Sequence, residues 1–218
     1  MSSDNALASH LQASMEVERS QLTRELHDHL GGLLVGALMD VALVESRLRE
    51  PEFREKLNRA HESLRAAVGL SRNLIEGIRP TLLDNVGLFA AVRSHIVTLC
   101  AANALECTLD MNEPEPTLKP DVAIGIYRIA EEALRLISNS LRAQSVASRA
   151  QVREGVLILR ISHNGSAVAH DLLSALPEFA SMSHRIATLQ GNLTISHQPD
   201  GVSLWSISVP VGPQELAT

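Results

Sequence analysis

The sequence predicts two domains of different class. The first is an N-terminal α-helical hairpin that pairs into a dimeric four-helix bundle, and the second is an α+β two-layer sandwich. Three observations carry this. Leu22, Leu26, Leu30, Leu33, Ala37, Val41, Val44 and Leu48 recur at gaps of three or four, as the seam of a packed helix requires. Phe53, Leu57, Ala60, Leu64, Ala67, Ser71, Leu74 and Ile78 follow at alternating gaps of four and three, a coiled-coil-like repeat. Beyond Pro80 the pattern breaks into shorter helices and alternating strands. The boundary falls near residue 82, giving domains 1–82 and 83–218.

The first helix reads from about Ser9 to Arg49. Pro51 stops it, because proline disfavours helix in the residue before it. Pro51 then suits the first position of a second helix, which runs to Ile78 and closes at Arg79-Pro80. Two long, narrow-striped helices bury their stripes poorly alone, so a homodimer through residues 9–78 is expected. Leu88 to Ala102 follows as a helix and Leu105 to Met111 as a strand. Glu113-Pro114-Glu115-Pro116 is a loop. Val122 to Leu141 reads as a helix, and Ser148–Val152 with Gly155–Ser162 as a hairpin ending at His163-Asn164-Gly165. Phe179 to Leu189 is a helix with Gly191 as its cap. Leu193–Ser196 and Ser203–Val209 are strands.

The bulk properties are those of an ordinary folded protein, with 45% apolar and 20% charged residues. Aromatics make up only 2%, so the core must be aliphatic. A net charge of -6 argues against nucleic acid as a partner. The polar start, Met1-Ser2-Ser3-Asp4-Asn5, is unlike a signal peptide. The run Leu30–Val44 is broken by Asp40 and shorter than a bilayer span. Cys100 and Cys107 lack metal-ligand spacing and read as reduced thiols. The expectation is a cytoplasmic protein with no membrane contact, no metal and no cofactor.

The chemistry gathers at Glu25-Leu26-His27-Asp28-His29. His27 falls just off the apolar seam, at the edge of the buried stripe and within reach of solvent. Neutral imidazole is a good nucleophile near pH 7. A carboxylate can hold the proton on Nδ1 and free Nε2 to attack, as in hydrolytic triads, which makes Asp28 a candidate orienting group or general base. Adjacent helical residues do not face each other, so Asp28 would have to reach around the helix or act on the donor or acceptor. Gly31 and Gly32 each cost about 1 kcal/mol inside a helix. Gly31 lies one turn from His27 and leaves bare backbone for a partner. Arg24, Glu25 and Gly31 are therefore the candidate partner contacts.

The run Glu18-Arg19 and Leu22-Thr23-Arg24-Glu25-Leu26-His27-Asp28 resembles the phosphoacceptor helix of two-component sensor histidine kinases. The similarity is to the nitrate-sensor, NarX/DesK-like class. Ile78-Arg79-Pro80, Leu82-Leu83 and Gly87-Leu88 resemble that class's linker to the ATPase domain. Ile126-Tyr127-Arg128-Ile129 with Glu132-Ala133-Leu134 resembles the helix that opens the nucleotide site. Met182, Arg185-Ile186, Leu189-Gln190-Gly191, Leu193-Thr194-Ile195, Pro199, Gly201 and Val209-Pro210 resemble the domain's C-terminal end. The resemblance implies a phosphoryl group on His27 and a response-regulator receiver domain as partner, with an upstream sensor kinase as a further one.

Departures from the family pattern cluster at the implied ATP site. The Mg²⁺-binding Asn is replaced by Leu136, which offers no oxygen ligand. The adenine-binding Asp is His163, and the second glycine of its turn is Ala167. Pro177 stands in the phosphate-cradling loop, where it removes an N–H. A Gln that positions water for phosphatase chemistry is Gly32. These substitutions lead to the expectation of a histidine phosphotransfer protein that relays phosphoryl groups between receivers without ATP. The alternatives are a non-catalytic interaction module and an active ATP-dependent kinase.

Overall fold

The computed structural model describes residues 2–47, 51–111, 114–168 and 170–212. Two compact units emerge, residues 6–81 and residues 82–218 together with residues 1–5.

α1 (Ser2–Glu25), a π-helical turn (Leu26–Gly31) and α2 (Gly32–Arg47) form one uninterrupted helix, which belongs to the first unit from Ala6 onward. The expected end at Arg49 lies outside the described residues. The returning helix, α3 (Pro51–Ile78), begins on its proline, which lacks the N–H that a first-turn position would leave unpaired. Half-buried Leu34, Ala37, Leu38 and Val41 lie along one face of α2. Half-buried Leu57, Leu64, Ala67 and Val68 do the same on α3. Glu45 Oε2 meets His61 Nδ1 at 3.2 Å between the two helices.

The apolar seam read from the sequence splits in the structure. Leu26, Ala37 and Val41 are half-buried, whereas Leu30, Leu33 and Val44 stay exposed. Leu33 is 73% exposed and Leu70, on α3, 61%. The reason is geometric: α2 carries two adjacent apolar rows and α3 covers only one.

The expectation of a cytoplasmic chain without membrane contact needs correction here. The stretch judged too short, Leu30–Val44, sits inside a longer helix. Among the described residues His10–Arg47 is long and apolar enough to cross a membrane, by length and composition. It holds an 18-residue window of mean hydropathy 1.4, none of it buried. The polar N-terminus and Asp40 do not interrupt that window's apolar character.

The second unit runs α4 (Thr81–Asn85), α5 (Leu88–Asn103), β1 (Glu106–Asp110), α6 (Pro120–Arg135), a π-helical turn (Leu136–Ser140), β2 (Ser145–Arg153) and β3 (Val156–His163). It continues with α7 (His170–Ser174), α8 (Pro177–Thr188), β4 (Asn192–His197) and β5 (Ser203–Pro210). The sheet order is β1-β2-β3-β5-β4. Among the described residues only the β1–β2 pair is parallel. Register pairs Leu159 with Ile207 and Ile161 with Trp205, so their side chains share one face of the sheet. That face joins Phe89, Val92 and Ile96 of α5, Ile126, Ile129 and Leu134 of α6, and Phe179, Met182 and Ile186 of α8 in one core. This is the expected α+β sandwich.

Local details explain several boundaries. The Glu115 carboxylate caps α5, accepting from the Phe89 N–H at 2.6 Å and the Ala90 N–H at 3.3 Å. A carboxylate at a helix start satisfies donors that have no partner within the helix. Gly191 was expected as the left-handed cap of α8, but Gln190 takes that conformation, at φ 53. Gly191 is required for a different reason: a Cβ there would meet the Ser208 carbonyl oxygen at 2.7 Å.

Candidate functional site

His27 lies in the π-helical turn and is exposed. A pocket of about 400 Å³ is lined by His27, Asp28, Gly31 and Gly32 on one side and by Val68, Ser71, Arg72 and Ile75 of α3 on the other. π-helical turns are rare and concentrate at functional sites. Within this turn His27 and Asp28 both line the pocket. A Cβ added at Gly31 or Gly32 would meet nothing within 4 Å, so both glycines leave open space beside the histidine.

The other sequence candidates take different places. Arg24 and Glu25 are exposed and do not line the pocket. Glu25 accepts from Gln21 Nε2 at 3.1 Å. His29 Nδ1 approaches the Glu25 carbonyl oxygen at 3.2 Å, which turns that ring to its own helix backbone. Ser71 and Arg72 were absent from the sequence-based candidates. Ser71 appeared only as a small residue in the α3 repeat, and Arg72 carried no local signal. Only the folding of α3 onto the π-helical turn brings them to His27. The guanidinium supplies a fixed positive charge with forked donors, the chemistry that suits phosphoryl oxygens.

The positions of the implied nucleotide site lie in the second unit. Leu136 is 1% exposed and belongs to the aliphatic core. Asn139 is exposed, and its Oδ1 accepts from Ser138 Oγ at 3.2 Å. Pro177 opens α8 at its first turn. Asn164 and Gly165 serve the fold itself. Asn164 Oδ1 accepts from the Gln144 and Ser145 N–H groups at 2.8 and 2.9 Å. A Cβ on Gly165 would meet the Leu141 carbonyl oxygen at 2.6 Å. A buried leucine and a buried imidazole supply neither the amide oxygen nor the carboxylate that the family resemblance implies for Mg²⁺ and adenine.

His163 is 2% exposed, packed edge-on to Trp205. Its Nδ1 accepts the Gly165 N–H at 3.1 Å, which puts the proton of the neutral ring on Nε2. Burial, assisted by nearby His197, pushes its pKa down from 6.5 to about 4. The unfolded chain therefore binds the proton first as pH falls. The contribution is intact above pH 6.5 and drains away towards pH 4, by roughly 3 kcal/mol at most. Urea midpoints measured at pH 7 and pH 4.5 should fall more for the wild type than for His163→Leu. Equal losses would remove His163 as the cause.

Similarity to known proteins is extensive. The histidine kinase family HisKA_3 matches residues 18–83, a span that includes the π-helical turn and all of α3. The sensor histidine kinase MctS of Rhizobium johnstonii is 28% identical over 205 residues, covering 91% of this chain and 44% of that protein. The signal transduction histidine-protein kinase/phosphatase DegS of Bacillus subtilis is 26% identical, covering 91% and 54%. The chain spans about half the length of the curated relatives it matches. Among solved structures, the histidine kinase domain of an Erythrobacter litoralis blue-light activated histidine kinase superposes with a TM-score of 0.54. It is 14% identical, with 84% of this chain and 96% of that one covered, which speaks to the fold.

Proposed function

We propose that this chain, similar along nearly all of its length to sensor histidine kinases, is the phosphoacceptor core of a two-component sensor histidine kinase of the nitrate-sensor class. His27 carries the phosphoryl group, and a response-regulator receiver domain takes it. The observation that carries this reading is the pocket around His27, set in the segment that matches the kinase family.

One sequence expectation is withdrawn. A phosphotransfer protein working without ATP does not agree with relatives that are named sensor kinases along nearly all of this chain. Those relatives support a kinase that draws its phosphoryl group from ATP. They give no support to a pseudokinase.

The residues of the pocket divide the work. A neutral His27 nitrogen attacks phosphorus, and a P–N bond forms as the donor's P–O bond breaks. The Asp28 carboxylate steadies the proton on the ring or on the incoming group. Arg72 offsets the negative charge of the phosphoryl oxygens. The receiver's carboxylate then attacks phosphorus, the P–N bond breaks and the imidazole returns to its neutral form. Gly31 and Gly32 give the receiver a close approach. The active form is a homodimer through residues 9–78, because the apolar row left exposed on α2 and α3 needs a second copy to cover it.

The test is transfer. The chain is phosphorylated and mixed with the receiver domain of its response regulator. Label should leave the chain and appear on the receiver as an alkali-labile acyl phosphate. A receiver that gains none would overturn the proposal.

A further inference from the structure

We propose that Cys100 and Cys107 form a peroxide-sensitive dithiol that closes to an intramolecular disulfide. Nothing in the kinase reading requires this pair, and the inference stands independently of it.

The geometry is built by a short turn. Cys100 lies in the last turn of α5 and is 3% exposed. Cys107 is the second residue of β1 and is exposed. Between them the chain reverses through Ala104, whose left-handed backbone (φ 53) allows the tight return. The Cys100 carbonyl accepts from the Leu105 N–H at 2.9 Å and from the Ala104 N–H as well, which pins the start of the strand to the end of the helix. The return sets β1 beside α5, and Cys107 neighbours Cys100 closely enough to raise that thiol's pKa.

The pair is asymmetric, which sets the order of events. Burial, reinforced by neighbouring Cys107, pushes the Cys100 thiol up to about 11, so it stays protonated near neutral pH. The exposed thiol is the one that meets an oxidant. Its thiolate attacks hydrogen peroxide, breaking the O–O bond and leaving Cys107 as a sulfenic acid with release of hydroxide. The Cys100 sulfur then attacks the Cys107 sulfur, an S–S bond forms, and the S–O bond breaks. The departing oxygen and the proton from Cys100 leave as water. Two thiols and one peroxide give one disulfide and two waters. The disulfide staples α5 to the edge strand β1, and a thiol reductant reverses it.

Titration of the full chain with hydrogen peroxide tests this. The expected product is 2 Da lighter, monomeric in mass on a non-reducing gel, with Cys100 and Cys107 in one linked peptide. Its unfolding temperature rises by several degrees and returns on reduction. Cys107→Ser is preferred to a change at buried Cys100, because the exposed site tolerates it. That variant should show neither the mass loss nor the temperature shift. A Cys107 that gains 32 or 48 Da while Cys100 remains alkylatable in the unfolded chain would overturn the proposal (about two or three added oxygens). A linkage found only between chains would do the same.

Discussion

His27→Ala removes phosphoryl uptake by the chain, to background, while His29→Ala leaves it within about twofold. The contrast follows from the π-helical turn. His27 lines the pocket with Asp28 and Arg72, whereas His29 turns to the Glu25 carbonyl of its own helix. No neighbouring side chain can replace the lost nucleophile, since the remaining lining residues are small, apolar, acidic or cationic, apart from a serine. Ser71 is that serine. It is 6% exposed, and a serine hydroxyl is a weak nucleophile unless activated. Both histidines are exposed, so each substitution should change stability by no more than about 0.5 kcal/mol. Far-ultraviolet circular dichroism and urea midpoints check that the fold survives. Equal uptake by wild type and His27→Ala would mean that the pocket holds no acceptor.

Leu33→Glu turns the dimer into a monomer at micromolar concentration. Leu33 is exposed on the isolated chain, as are Leu70 and Leu74 on α3. Burying one leucine is worth about 2 kcal/mol. A two-fold interface hides each residue twice, so the loss is about 4 kcal/mol, or about a thousandfold in affinity. The buried charge adds to that. Sedimentation equilibrium reads the change, with Leu34→Ala as the comparison because Leu34 is half-buried in the row facing α3. A Leu33→Glu variant that stays dimeric would place the interface elsewhere on the hairpin.

The helical hairpin and the sandwich were legible because their signals are local. Apolar periodicity marks α2, α3, α6 and the strands, and Pro51, Pro80 and the Glu-Pro loop punctuate them. The His27 run was legible for the same reason. What sequence could not reveal depends on distant parts of the chain. Arg72 is one charged residue among several on α3, and only the crossing of α3 with the π-helical turn selects it. Glu115 reads as part of a loop until its carboxylate is seen on the start of α5. Gly191 looks like a conventional cap, yet its role is to let the Ser208 carbonyl approach.

The nucleotide-side positions carry the opposite lesson. Leu136, His163 and Pro177 suggested a protein without ATP; in the structure Leu136 and His163 are buried and Pro177 opens α8. The relatives nevertheless run through both units of this chain and are named kinases. Single substitutions speak to ligands at single positions, while similarity along the whole chain speaks to descent. Asn164 and Gly165 show how both hold together, since residues of a binding motif can persist because the turn they build needs them.

The most direct measurement is the site of phosphate itself. The chain is isolated under alkaline conditions from cells that hold its response regulator, and the phosphorylated peptide is sequenced by mass spectrometry. The expected result is an acid-labile, alkali-stable phosphate on His27, absent from His27→Ala. Phosphate on another residue, or an unmodified His27 in cells whose receiver is phosphorylated through this chain, would contradict it.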